Sequence, residues 1–238
     1  MVFKKDRQWE GIEREVAINA GEVTLNGTLA LPKNAVGIVL FAHGSGSSRF
    51  SPRNRYVAEV LQSQGTATLL FDLLTLQEES VDEFSARFRF DISLLAKRLV
   101  GATRWVMGNP DTLGLHVGYF GASTGAAAAL VAASELPDDI AAVVSRGGRP
   151  DLANDALESV HAPTLLIVGG DDDVVINLNR EALARLSAVE KELVIIPGAT
   201  HLFEEPGKLE EVAQAAAKWF TRHLAQSRKP QVQTAAQR

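Results

Sequence analysis

Short apolar runs recur along the chain, separated by longer stretches whose apolar residues fall at steps of three and four. The runs are Gly37 to Ala42, Ala67 to Asp72, Leu113 to Phe120, Ile140 to Ser145, Thr164 to Val168 and Leu193 to Ile196. Each is too short for a buried helix and bounded by turn residues, so each predicts a strand. Between them, Val81 to Met107 places Val81, Phe84, Phe88, Ile92, Leu95, Leu99, Ala102 and Val106 on one helical face. Ser80 and Glu83 match a capping box at its start. Ser123 to Leu136 is Ala-rich and nearly uncharged, which predicts a helix buried against a sheet and stopped by Pro137. Asn177 to Leu186 and Gly207 to Leu224 are amphipathic. The opening, Arg14 to Leu31, reads as an antiparallel hairpin, turned at Ala20-Gly21 rather than at Asn26-Gly27.

Strands alternating with helices imply an α/β fold with a mostly parallel central sheet and helices on both faces. At 238 residues, one domain over 1–225 with a polar tail over 226–238 is the simplest division. Arg146 to Ala162 is too short for a large cap domain. Lys and Arg number 24 against 29 Asp and Glu, a net charge of −5. That balance excludes the basic excess of a nucleic-acid or anionic-membrane binder. No apolar run reaches the ~18 residues of a membrane span, and Met1 to Glu13 has no apolar core for a signal peptide. A cytoplasmic location is the resulting expectation. The chain has no Cys, which removes thiolate chemistry and Cys-ligated metal. The scattered histidines show no metal-ligand spacing, so neither a metal nor another cofactor is expected.

The chemistry concentrates at strand ends. Gly121-Ala122-Ser123-Thr124-Gly125 matches G-x-S-x-G where an apolar strand meets a helix. On so sharp a turn the chain passes close on either side of the serine, and only very small residues fit there. The bland alternative is a small-residue turn that serves packing alone. A serine needs a base, and His201, in the loop between the last strand and last helix, is in place to be one. His116, His161 and His223 read as structural or solvated, and His43 lies in a Gly-rich loop suited to another role. The acid belongs between serine and histidine in sequence. Asp172 in Val168-Gly169-Gly170-Asp171-Asp172-Asp173 is the choice, with Asp173 its rival and Asp171 a turn residue. An oxyanion needs two N–H donors, one from Thr124 and one from the loop His43-Gly44-Ser45-Gly46, where Ser45 is preferred over Gly44. A dinucleotide fingerprint fails there because position 49 is Arg. Phe50, Leu76, Phe88 and Phe203 are candidate pocket residues, each equally consistent with packing. Arg49, Arg53, Arg55 and Arg146 could meet an anionic substrate or solvate the surface.

With these residues placed, the chain resembles the α/β-hydrolase fold and, within it, the dienelactone-hydrolase-like group. The likeness runs from about Glu15 to Ala225. It rests on His43-Gly44-Ser45-Gly46-Ser47-Ser48-Arg49, Phe71-Asp72-Leu73-Leu74-Thr75, the Ser123 pentapeptide, Pro163 to Gly169, Asp172 and His201. Dienelactone hydrolases proper carry cysteine at the position of Ser123. The resemblance implies a serine hydrolase without a large lid, acting on small-molecule carboxylic esters, small to medium or aryl, through an acyl-enzyme. Lactones and phosphotriesters would use the same residues. A non-catalytic binding module on the same fold is the alternative of another class.

Overall fold

The computed structural model describes residues 10–226. Eight strands form one sheet: β1 (Gly11–Asn19), β2 (Thr24–Pro32), β3 (Gly37–Ala42), β4 (Ala67–Phe71), β5 (His116–Ala122), β6 (Ile140–Arg146), β7 (Thr164–Gly169) and β8 (Lys191–Ile196). Their order is β1-β2-β4-β3-β5-β6-β7-β8. β1 and β2 are antiparallel, β2 runs antiparallel to β4, and every other pair is parallel. The hairpin turns at Ala20-Gly21, with Asn19 facing Thr24 and Gly21 at φ 82°. Asn26 and Gly27 lie inside β2.

Among the described residues there are six α-helices: α1 (Pro52–Ser63), α2 (Leu76–Ser85), α3 (Ile92–Gly108), α4 (Thr124–Glu135), α5 (Asp173–Arg185) and α6 (Lys208–Gln226). A 3-10 segment, Pro150–Ser159, fills the connection from β6 to β7. One core lies on the face carrying α3 and α4 and includes Leu95, Leu99, Tyr119 and Leu130. The other joins α1 and α6 to the opposite face through Phe41, Phe120, Leu61 and Phe220. Each fully buried large side chain contributes about 1.5 to 3 kcal/mol, and the central strands β3 and β4 are buried at every position. This is why they read as continuous apolar runs rather than as alternation.

Three expectations need correction. The helix foreseen over Val81 to Met107 is two helices. Ala86 stands at φ 50° and ends α2, and the buried Asp82 carboxylate accepts the amides of Phe88 and Arg89, at 2.5 and 3.2 Å. Those amides are thus satisfied outside any helix, so the chain leaves the helix although its apolar spacing continues. The capping box is Thr75 with Glu78, not Ser80 with Glu83. α1 was not foreseen. Its fully buried apolar residues are only Val57, Ala58 and Leu61, with Tyr56 and Val60 partly buried beside them, and its start is fixed by Ser51 at the cap and Pro52 in the first turn. Of the polar C-terminal segment, Gln226 closes α6 and 227–238 lie outside the described residues.

Candidate active site

β3 and β5 are hydrogen-bonded neighbours, with Ala42 paired to Gly121. The chain leaves β3 to one side for β4 and later returns on the other side as β5. Their carboxyl ends therefore flank the switch point of the sheet, where loops part and leave a crevice. His43 to Ser47 and Ser123 meet there for that topological reason.

Ser123 has φ 51° and ψ −121°, a conformation costing a non-glycine residue on the order of 1 to 3 kcal/mol. The sharp turn demands it. A Cβ on Gly121 would lie 2.4 Å from the Ala126 Cα, and one on Gly125 would lie 2.2 Å from the Ala42 carbonyl oxygen. Both positions admit only glycine, as the sequence reading anticipated. Ser123 is the N-cap of α4, yet its side chain makes no capping bond. The hydroxyl is left to the crevice, beside first-turn amides of α4 that have no intrahelical acceptor.

Asp172 likewise begins α5 without capping it. Its carboxylate instead accepts from His201 Nδ1 at 2.7 Å. With the proton on Nδ1, Nε2 is left as the basic nitrogen. Asp171 and Asp173 are exposed, and among the described residues the imidazole bonds Asp172 alone of the three acids. The His201 loop is set by Gly169, whose absent Cβ would collide with the Ala199 and Thr200 carbonyl oxygens at 2.3 and 2.5 Å. Gly147, at φ 50°, passes close to the same loop: a Cβ there would stand 3.0 Å from the His201 carbonyl oxygen. Gly147 went unnoticed in the sequence as a site residue, although the Gly147-Gly148 pair directly after a strand was a usable signal.

Ser123 and His201 line one cavity of about 240 Å³, together with Gly44, Ser45, Ser47, Ser51, Arg53, Asn54, Ala122, Arg146 and Leu202. Among the described residues no hydrogen bond joins Ser123 to His201. On the early loop, the Ser45 amide donates to Thr124 Oγ1 at 2.9 Å, which ties the two oxyanion candidates together. Gly44 abuts the serine so closely that a Cβ would lie 3.2 Å from Ser123 Cβ. His43 has a role that its Gly-rich neighbourhood did not specify. The Leu73 amide donates to His43 Nε2 at 3.1 Å, so the ring proton sits on Nδ1 and is donated to the Gly44 carbonyl oxygen at 3.0 Å. Burial holds this imidazole below its ordinary pKa, against the opposing pull of the Gly44 bond. His43 is thus a neutral brace between the β4 end and the Gly44-Ser45 loop, with no nitrogen free to act as base.

None of the apolar pocket candidates lines the Ser123 cavity. Phe50 is exposed under the Arg49 guanidinium, beside a different depression. Leu76 is exposed at the start of α2, and Phe88 packs on the α3 core. Phe203 stands at φ 57°, which turns its ring into the α6 core, while Leu202 faces the cavity. Arg49 serves structure, bonding Asp72 through its amide at 2.9 Å and its guanidinium at 2.6 Å. No group of three or more His, Asp or Glu suited to a metal ion occurs among the described residues, and no described helix is long and apolar enough to cross a membrane.

A family model, the dienelactone hydrolase family, matches residues 25–226. The chain belongs to the dienelactone hydrolase family. A solved dienelactone hydrolase from Anabaena variabilis is 63% identical, with a TM-score of 0.89, covering 90% of this chain and 99% of that one. The esterase Est1E from Butyrivibrio proteoclasticus shares the fold at a TM-score of 0.73 and 17% identity, covering 89% of this chain and 99% of its own. Two Mycobacterium tuberculosis proteins, each named "Putative phosphoribosyl transferase", are 59% identical over 212 residues. Those residues make up 89% of this chain and 47% of each relative. The chain thus spans about half the length of these relatives, and their transferase name describes proteins of twice its extent. Family and fold agree: the residues matched by the family model, 25–226, are those that build the α/β sheet from β2 to β8 and its helices.

Proposed function

We propose that the protein hydrolyses carboxylic esters, lactones among them, through an acyl-enzyme on Ser123. The observation that carries this reading is the 2.7 Å bond from His201 Nδ1 to Asp172 beside a strained, uncapped serine that shares a cavity with that histidine.

In the first half-reaction His201 Nε2 takes the Ser123 proton as Oγ attacks the ester carbonyl carbon. Asp172 holds the ring in the tautomer that makes this possible and stabilises the imidazolium. The carbonyl oxygen becomes an oxyanion, received by the Thr124 amide at the start of α4 and by the Ser45 amide. Ser45 must release the Thr124 hydroxyl to do so. That exchange is favourable, because a bond to an ionised oxygen is roughly twice as strong as a neutral one. The imidazolium then protonates the departing alcohol. Water, deprotonated by the same histidine, releases the acid and restores Ser123. One oxyanion donor is worth ~3 to 4 kcal/mol of barrier.

The test is a panel of p-nitrophenyl esters, with a lactone and a phosphotriester, together with a fluorophosphonate probe. Wild type is expected to turn over esters and to be labelled at Ser123. Ser123→Ala should fall by about a thousandfold or more with an unchanged circular dichroism spectrum. Ester turnover surviving in the purified variant would refute the assignment, and an unlabelled, inert wild type would favour a binding module.

A further inference from the structure

The cavity beside Ser123 holds a charge that the reaction above does not use. Arg146 ends β6 and is only 6% exposed. Its guanidinium meets one side-chain partner, Asn54 Oδ1, at a long 3.3 Å, and its Nε is buried with no partner at all. Among the described residues no carboxylate lies within salt-bridge range of it. Burial, helped by the nearby cation Arg53, lowers the Arg146 pKa to about 10, which leaves the group protonated at neutral pH. Arg53 is held by Glu204 at 2.9 Å, but that pair is open to solvent, with 33% and 64% of the two side chains exposed. It is therefore weak and easily rearranged. The Arg53 Nε is also buried without a partner.

A buried guanidinium without an acid is costly, several kcal/mol for the ion after relaxation. A Met or Leu would fill the same space without that cost. Its placement makes sense if the compensating anion arrives with the substrate. Arg53 and Asn54 lie in the first turn of α1, and Ser51 caps that helix, so its positive end opens on the same cavity. Donors thus reach the cavity from two elements, the β6 end and the α1 start. A planar carboxylate is satisfied by one guanidinium fork, whereas a tetrahedral phosphate dianion accepts from several directions and balances two cations.

The geometry points to an anion subsite formed by Arg146, Arg53 and Asn54, which holds a phosphate group carried by the ester that Ser123 cleaves. This inference rests on the ester-hydrolase reading for its second half, while the anion site stands on its own. No bond to the phosphate breaks. It anchors the substrate, and the carbonyl carbon remains the point of attack.

Matched p-nitrophenyl esters would separate the possibilities: one with a neutral acyl chain, one with a terminal carboxylate and one with a terminal phosphate monoester. Binding of inorganic phosphate is followed in parallel by isothermal titration calorimetry. The phosphate ester is expected to exceed the neutral one by about tenfold or more in kcat/KM, chiefly through KM, equivalent to about 1.4 kcal/mol. That ratio should collapse toward one in Arg146→Met and fall partway in Arg53→Gln, and phosphate binding should be lost in Arg146→Met. If Arg146→Met does not fold, the ratio in Arg53→Gln, at the half-open edge of the site, decides. A carboxylate ester favoured as strongly as the phosphate ester would overturn the phosphate assignment. Turnover of the neutral ester with no anion preference and no phosphate binding would remove the subsite and leave the hydrolase standing. Arg146-dependent phosphate binding in a protein inert to all three esters would support the subsite and remove the hydrolase reading.

Discussion

Ser123 sits in a backbone conformation that favours glycine, and this makes a prediction that runs against intuition. Ser123→Gly should lose turnover yet gain stability, by about 1 kcal/mol or more, because glycine relieves the strain that serine bears. Urea unfolding measures it, and a destabilised glycine variant would show that the elbow is not strained. His43 makes a second residue-scale prediction. Its folded pKa lies below 6.5, so as pH drops through about 6.5 the unfolded chain takes up a proton that the folded one refuses. Stability attributable to this group is full above pH 6.5 and declines toward the folded pKa, with a limiting slope of about 1.4 kcal/mol per pH unit. His223 is shifted the same way by burial, so the measurement is a difference. The pH dependence of Tm should be shallower between pH 6.5 and 5 in His43→Gln than in wild type, and equal slopes would contradict the bracing role. In the sequence the histidine was visible and its unsuitability as a base was suspected. Its partner, the Leu73 amide thirty positions away, was not visible, because a tertiary hydrogen bond leaves no local pattern.

Among the elements, the break between α2 and α3 shows why periodicity misled. Both Thr75-x-x-Glu78 and Ser80-x-x-Glu83 satisfy the capping box, and apolar residues continue at helical steps across the break. What decides is Asp82. Only 1% exposed, it binds the Arg89 guanidinium at 2.5 Å as well as two amides, so the chain is fixed as a turn. Asp82→Ala is expected to cost about 2 to 4 kcal/mol by leaving those donors unpaired, read as a shift in urea midpoint. A loss under ~0.5 kcal/mol would mean the break is set elsewhere. The strand–helix elbow was legible in full, because its glycines are dictated by contact. Gly125→Ala, with its new methyl 2.2 Å from a backbone oxygen, should cost about 3 kcal/mol or more. Gly65→Ala, at φ 82° with open space around it, should cost only about 1 kcal/mol. Equal melting shifts in the two variants would deny that close approach is the constraint at the elbow.

At the scale of the molecule, the candidate site exists only while the sheet does. Ser123, Asp172 and His201 follow three different strands, β5, β7 and β8, and meet only because those strands run parallel with their carboxyl ends at one edge. Fluorophosphonate labelling should therefore vanish at the same urea concentration as the near-ultraviolet circular dichroism signal. Labelling that outlasted the tertiary signal would show a serine activated without its distant partners. The sequence by itself determined the strand–helix alternation, the sharp turn at Ser123 and the order of the three side chains, since these rest on local periodicity and on glycines that sterics makes obligatory. The tertiary structure decided which of three adjacent aspartates reaches His201, which aromatic rings fill cores rather than the cavity, and that a cation without an acid is buried beside the serine. Those outcomes depend on distances between residues far apart in the chain, which packing fixes and local pattern does not encode.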